Sequence, residues 1–435
     1  METLAATAPH TPEAPSKPGI DMALDAYCQP PAVRERMEGN YQLLENVGPS
    51  KDEEHPDPFM TICIPVALLQ EDQATIDRTL DAIHASQKTL DKPIQVILWA
   101  NARYEQTEQA GLKTSIKQRY QASRTPSKAA KRYEKLRASL GRFDGTGLEF
   151  KTALQVLPEE DATMSQLRSN YMDSMSILAQ KEGYGYDHPV MWLDADTTYV
   201  TANTLGDIGS KVKNFDALFV HAAERYTMEW AKGKPRAELD DETRAVMLNE
   251  IHRRITSKKA LSQDPEHGYG YTEESGLAFA VGTYLDAGGV DINDPINEAG
   301  LLIKNGRELL SQGSAGFHRD HGPNDETEAL PPLIEYVRSA RIGLSARRHY
   351  RAVKEIGVRA LYNVQFRNYA DYTLFSDRSS SKAKTPPKEP ITREGMHKFI
   401  RLQESSNRRR VSPLLEPSEE QQRLVKNMID ANFKD

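Results

Sequence analysis

Cysteine is nearly missing: the 435 residues include two, Cys28 and Cys63. So few exclude a disulfide framework and favour a reducing compartment. Excess positive charge is lacking too. Lys and Arg number 56 against 63 Asp and Glu, a net charge of −7, which speaks against nucleic acid as a partner. The longest apolar stretch, Met60–Leu69, contains Pro65 and is too short to cross a bilayer. The first residues do not show the basic-then-apolar layout of a signal peptide. No internal repeat is evident. These absences lead to the expectation of a soluble, cytoplasmic protein, long enough for a full core and additional elements.

What is present is organised around Met191–Val200. The apolar run Val190–Leu193 suits a strand buried on both faces, as in a parallel sheet, and leads directly into Asp194-Ala195-Asp196. Alternate strand residues share a face, so both carboxylates are expected to point the same way at the strand's carboxyl end. That is where open α/β sheets bind ligands. Paired carboxylates there make a hard, oxygen-rich site for Mg²⁺ or Mn²⁺.

Residues 1–58 are rich in Pro, Ala and charge, and read as a flexible arm with one short helix around Ala32–Leu44. Order begins with a strand over Phe59–Val66, followed by a helix over Thr75–Thr89 and a strand over Ile94–Trp99. This is a βαβ unit, hence a parallel pair. A further strand is expected over Phe150–Leu157, a helix over Met164–Lys181 and a strand over Asp216–Val220. Glu224–Leu261 is polar and helical in pattern, an elaboration over the core, and Glu273–Ile303 returns to apolar, glycine-rich sequence. The chain divides into a main domain, 59–335, and a basic helical extension with linker and tail, 336–435. Lys113–Arg142 holds ten Lys or Arg against Glu134, and Arg338–Arg367 holds eight against Glu355. Both are read first as solvated helical faces. The second reading is a patch drawing an anionic acceptor, or the inner face of a membrane by peripheral contact.

Taken in order, Ile62–Val66, Leu98–Ala102, Leu167–Asn170 and Leu193–Asp196 resemble the landmarks of the GT-A glycosyltransferases, closest in layout to family 2. Ser275-Gly276 through Gly288-Gly289 is a looser fifth match. The resemblance implies an α/β, Rossmann-like fold: a mostly parallel sheet flanked by helices, here with helical insertions and a C-terminal extension. It implies metal-dependent transfer of a sugar, with inversion, from a nucleotide-sugar donor to a hydroxyl of an unspecified acceptor. That acceptor would be a saccharide, a lipid-linked group or a small molecule. Donor contacts would fall on Pro65, Val66, Ala67, Asn101, Arg168, Asp194, Ala195 and Asp196. Asp194 and Asp196 would hold Mn²⁺ or Mg²⁺ with His318, preferred over His321, and Asp294 or Glu298 would take the acceptor's proton. Asn101 departs from the family's usual acid, and the acidic catalytic motif is not cleanly present. Two other readings remain. Asp194 within Leu193–Thr198 also fits the nucleophile of a haloacid dehalogenase-like phosphatase, and a GT-A-like protein that only binds is the third reading.

Overall fold

Short apolar runs separated by helical repeats build one nine-stranded sheet among the described residues. The structure is a computed structural model and describes residues 19–29, 31–47, 57–104, 116–158, 164–263, 275–290, 298–312, 332–362, 388–410 and 418–433. In chain order the strands are β1 (Glu45–Val47), β2 (Met60–Ala67), β3 (Ile94–Tyr104), β4 (Leu148–Pro158), β5 (Pro189–Trp192), β6 (Thr197–Val200), β7 (Phe219–Thr227), β8 (Leu277–Ala280) and β9 (Ile334–Ser345). The helices in the first half are α1 (Ile20–Tyr27), α2 (Pro31–Tyr41), α3 (Gln73–Leu90), α4 (Ile116–Leu140), α5 (Met164–Glu182) and α6 (Thr204–Lys213). They are followed by α7 (Asp241–Gln263), α8 (Val281–Asp286), α9 (Glu298–Gln312), α10 (Arg347–Ile356), α11 (Arg359–Tyr362), α12 (Arg393–Arg410) and α13 (Glu419–Asn432).

The strand order is β1-β4-β3-β2-β5-β8-β7-β9-β6. The three apolar runs of the sequence lie side by side at its centre: Ile62 of β2 faces Val96 of β3 on one flank and Met191 of β5 on the other. They are almost wholly buried, which is why they read as unbroken hydrophobic segments. β2 is parallel to β3 and β5, β3 to β4, and β7 to β9, while β8 is antiparallel to both β5 and β7. Six of the nine strands therefore run one way, with β1, β6 and β8 against them. This is the α/β, mostly parallel, helix-flanked architecture that the resemblance implied.

Helices cover both faces with matched stripes. Asp72 caps α3, accepting from the Thr75 amide at 2.7 Å, and Ile76, Leu80 and Ile83 turn inward from it. On α4, Ala129, Tyr133, Leu136 and Leu140 form the buried stripe while Lys128, Lys131, Arg132 and Lys135 stay exposed. In its described part the first basic segment is thus an amphipathic helix laid on β3 and β4.

Two boundaries differ from expectation. The strand expected over Asp216–Val220 begins at Phe219 and runs on to Thr227, so Glu224–Thr227 are strand and the helix starts at Asp241. Pairing with β9 from Ala223 opposite Arg341 to Thr227 opposite Ser345 overrides the local helical pattern. Nearer the amino end, α2 occupies much of the expected Ala32–Leu44 helix, but α1 precedes it and β1 pairs antiparallel with β4. The helices α1 and α2 lie on α5, where Asp173 is fully buried. Its carboxylate accepts from Arg36 Nε at 3.0 Å and from the hydroxyls of Tyr27 and Tyr284 at 3.4 and 3.3 Å. Burial pushes this carboxyl up to about 6, against the pull of those partners.

Towards the carboxyl end, α7, α10, α11, α12 and α13 close a further core that includes Val246, Val353, Ile356, Phe399, Val425 and Ile429. No helix among the described residues is long and apolar enough to cross a membrane.

Candidate active site

The carboxyl ends of β2, β3 and β5 open on the same side of the sheet, and the chain places its acidic and basic groups there. β5 ends at Trp192, and Asp194–Thr197 form a turn in which the Thr197 amide and hydroxyl both reach the Asp194 carbonyl, at 3.1 and 2.7 Å. Asp196 is therefore a turn residue, not the next strand residue on the Asp194 face, as the alternation rule had suggested. The loop is pinned from three sides. The Asp194 amide donates to Ser275 Oγ at 3.1 Å, the Thr79 hydroxyl meets the Ala195 carbonyl at 2.7 Å, and the Ser345 amide donates to the Asp196 carbonyl at 3.1 Å.

Ser275 is held by Gly276, whose amide donates to the Trp192 carbonyl at 2.7 Å. Gly276 has φ +86°, and a Cβ there would lie 2.7 Å from Ile342 Cδ1. Both the backbone angle and the neighbour oppose a side chain. Gly276→Ala is expected to destabilise the fold by roughly 1–3 kcal/mol, as measured by urea unfolding.

Asp196 is 5 % exposed and sits under a basic pair from the start of α10. Arg348 Nε lies 3.7 Å from its Oδ2. Glu71, 6 % exposed in the turn after β2, takes Arg347 Nη2 at 2.7 Å and Arg348 Nη2 at 3.0 Å. Arg347 also reaches Thr75 Oγ1 at 2.9 Å and Asp72 at 3.3 Å. Burial pushes the Asp196 carboxyl up to about 7; Arg348 and Arg347 oppose the rise, while Asp194 and Glu71 add to it. Burial alone would lower the Arg348 pKa, but Asp196, Glu71 and Asp194 outweigh it and hold the guanidinium charged. Arg132 of α4 joins the same turn, donating to the Leu68 carbonyl at 2.5 Å. The two basic segments thus converge on residues 68–72.

The other expected site residues divide. Asn101 is buried near the end of β3, with Nδ2 donating to the Val66 carbonyl at 3.0 Å, which ties β3 to β2. Pro65 pairs opposite Trp99, Val66 is buried and Ala67 half-buried at the strand end. Arg168 is 4 % exposed, its guanidinium 4.9 Å from the Trp192 ring centroid, so it lies beneath the Asp194 loop and is not presented to solvent. Asp294, His318 and His321 lie outside the described residues; Glu298 opens α9, but its side chain lies outside them as well.

Three kinds of group escaped the sequence. Glu71 was left unassigned between the strand over Phe59–Val66 and the helix over Thr75–Thr89, and Arg347-Arg348 was read as part of a basic run. A signal existed in the latter, because two arginines opening a helix occupy the turn where acids are favoured. The third is a buried pair on β7. His221 Nε2 is 3.6 Å from Glu224 Oε1, three residues further along the same strand.

Among the described residues, no group of three His, Cys, Asp or Glu could hold a metal ion. By ligand type, Asp194 and Asp196 fit Mn²⁺ or Mg²⁺, offering oxygen only. By position, Asp196 fits such an ion only once the Arg348 guanidinium is drawn away from its carboxylate.

No protein-family model matches the chain, and no curated protein does. Among solved structures, the chain is similar over 95% of its length to 84% of a mannosyltransferase, PcManGT from Pyrobaculum calidifontis, in complex with GDP-Man and Mn²⁺, at 12% identity and a TM-score of 0.34. It is similar over 86% of its length to 88% of the S. aureus TarS 1–349 structure, at 12% identity and TM-score 0.32. A third match, GalNAc-T7 with UDP, GalNAc and Mn²⁺, covers 95% of this chain and 71% of that one, at 12% identity and TM-score 0.29. Similarity this remote carries no substrate over to this chain.

Proposed function

We propose that the protein is a glycosyltransferase that takes a sugar from a nucleotide-sugar donor. The observation that supports this most directly is the Asp194-Ala195-Asp196 turn at the carboxyl end of β5, the central strand beside β2. The end of β2, the turn at residues 68–72 and the Asp194–Asp196 turn are joined through Arg347 and Arg348, an arrangement that suits a nucleoside diphosphate laid across the strand ends. On this reading Pro65, Val66, Ala67 and Asn101 shape the nucleoside side. Arg168 supports it from beneath Trp192, and Asp194 and Asp196 face the diphosphate. When bound by Asp194 and Asp196, with His318 as a further ligand, Mn²⁺ or Mg²⁺ would neutralise charge on the departing diphosphate. Asp294 or Glu298 would remove the acceptor's proton, with inversion at the sugar carbon.

The phosphatase reading fits the sheet less well. It needs the nucleophile's strand to open the core, whereas β2, β3 and β4 all precede β5. A binding protein without catalysis keeps the strand ends but has no use for two carboxylates on one pinned turn. A panel of UDP-, GDP- and other nucleotide sugars, incubated with and without Mn²⁺, separates these readings. Release of nucleoside diphosphate from one donor is the expected result. Phosphate release from a phosphomonoester, with every sugar nucleotide inert, would sink the proposal in favour of the phosphatase.

A further inference from the structure

We propose that Arg348 is a resident cation of the Asp194/Asp196 site, so that its guanidinium and a divalent ion compete for Asp196. Asp194, Asp196 and Glu71 each act on Arg348, so the charge that balances them is already built into the chain. Arg348 Nη2 is 3.0 Å from Glu71 and its Nε 3.7 Å from Asp196, with Arg347 Nη2 2.7 Å from the second Glu71 oxygen. Glu71 thus acts as a bracket, taking one guanidinium on each oxygen and holding both at the edge of the metal-type pair. The arrangement is anchored at the backbone level: the Ser345 amide binds the Asp196 carbonyl, and α10 begins two residues later. Arg348 nevertheless keeps 34 % of its side chain exposed, and Arg347 22 %, so a diphosphate arriving at the strand ends meets both.

The physical consequence is a trade. A doubly charged ion beside Asp196 would lie within a few ångströms of a guanidinium that cannot lose its proton, and at that range like charges repel strongly in a partly buried site. Weak ion binding in the unliganded protein follows. The same guanidinium, planar and rich in donors, is well suited to phosphate oxygens. A nucleoside diphosphate then finds a fixed cation even where no divalent ion is supplied. The second half of this inference rests on the donor reading above; the first does not.

The test has one arm for each half. Mn²⁺ alone is titrated into the full chain and the free ion counted by electron paramagnetic resonance. Arg348→Met is expected to bind Mn²⁺ at least about tenfold more tightly than the wild type. Arg359→Met serves as the control, because Arg359 pairs with Glu389 in another part of the fold at 2.9 Å, and it should leave the affinity unchanged. Adding Asp196→Asn to Arg348→Met should abolish the gain. Equal or weaker Mn²⁺ binding in folded Arg348→Met overturns the competition. Should that variant fail to fold, Arg348→Gln, which also removes the charge but keeps a polar side chain, takes its place. It must then show the same gain, and no gain overturns the proposal. In the second arm, UDP and GDP are titrated calorimetrically in EDTA. The wild type is expected to bind one of them, and Arg348→Met to lose at least about tenfold in that affinity. No binding by the wild type, or equal binding by both, overturns the diphosphate role. Because the Mn²⁺ arm contains no nucleotide, failure of the glycosyltransferase reading would leave its outcome intact.

Discussion

Asp196→Ala is expected to lower sugar transfer at least about a hundredfold while leaving the melting temperature unchanged or higher. The two effects have one cause. A buried carboxyl raised to about 7, by burial first and by Asp194 and Glu71 against the pull of Arg348 and Arg347, opposes folding when ionised. Its folded value lies above the usual 3.8, so this cost grows as pH rises between the two and is fully present above pH 7. Alanine removes it, and Arg348 still has Glu71 as a partner at 3.0 Å. On the glycosyltransferase reading proposed above, what is lost is the anion that would fix a cation, guanidinium or divalent ion, against the donor's diphosphate. Transfer rates with the best donor, set beside thermal melts at pH 8, check both halves. Full activity in the variant would remove Asp196 from the site. A large fall in melting temperature would make it a structural residue.

Acid titration should expose two buried groups working in opposite directions. His188 stands before β5, with Nε2 2.9 Å from the Thr61 hydroxyl and its ring stacked on Tyr184 at 4.5 Å between centroids. Burial, helped by Lys213, lowers its pKa from 6.5 to about 3. The unfolded chain takes that proton first, so the stability His188 contributes is present above pH 6.5 and is lost as pH falls towards 3. Asp173 has the reverse sign: its carboxyl is raised from 3.8 to about 6, so its cost declines as pH falls through that window. Between pH 6 and 4 the two slopes nearly cancel in the wild type, each about 1.4 kcal/mol per pH unit. Single variants should separate them. Relative to wild type, His188→Gln should become more stable on acidification, and Asp173→Asn less stable, each by about that slope. Chemical unfolding at half-unit pH steps from 6.5 to 4 is the measurement. Parallel curves for all three proteins would mean that neither group titrates as its burial requires.

The centre of the sheet was legible because a strand buried on both faces must be apolar throughout. β2, β3 and β5 have that property, and their neighbouring helices α3 and α5 lie within a few residues of the expected spans. β9 was not legible. Ile334–Ser345 carries Arg338 and Arg341 on its exposed side, and this charge drew the whole stretch into a supposed basic extension. The site shows the same division. Asp194 and Asp196 announce themselves by following an apolar run. Arg347 and Glu71 are 276 positions apart, and a pairing across that distance leaves no local periodicity to read. Asn101 was expected as a base contact only through the resemblance, and the bond from its amide to the Val66 carbonyl, a contact distant in sequence, could not be read locally.

The docking of α1 and α2 on Asp173 has a consequence for the order of events during synthesis. Arg36 leaves the ribosome 137 residues before the carboxylate it will bind. At ordinary translation rates, that interval is on the order of ten seconds. Through it, Ile20, Leu24 and Met37 have no core to enter, since α5 does not yet exist. β1 likewise waits for β4 before it can pair. The helices α1 and α2 therefore wait for a partner made well after them, and a chaperone that shields nascent apolar segments would find a long engagement here.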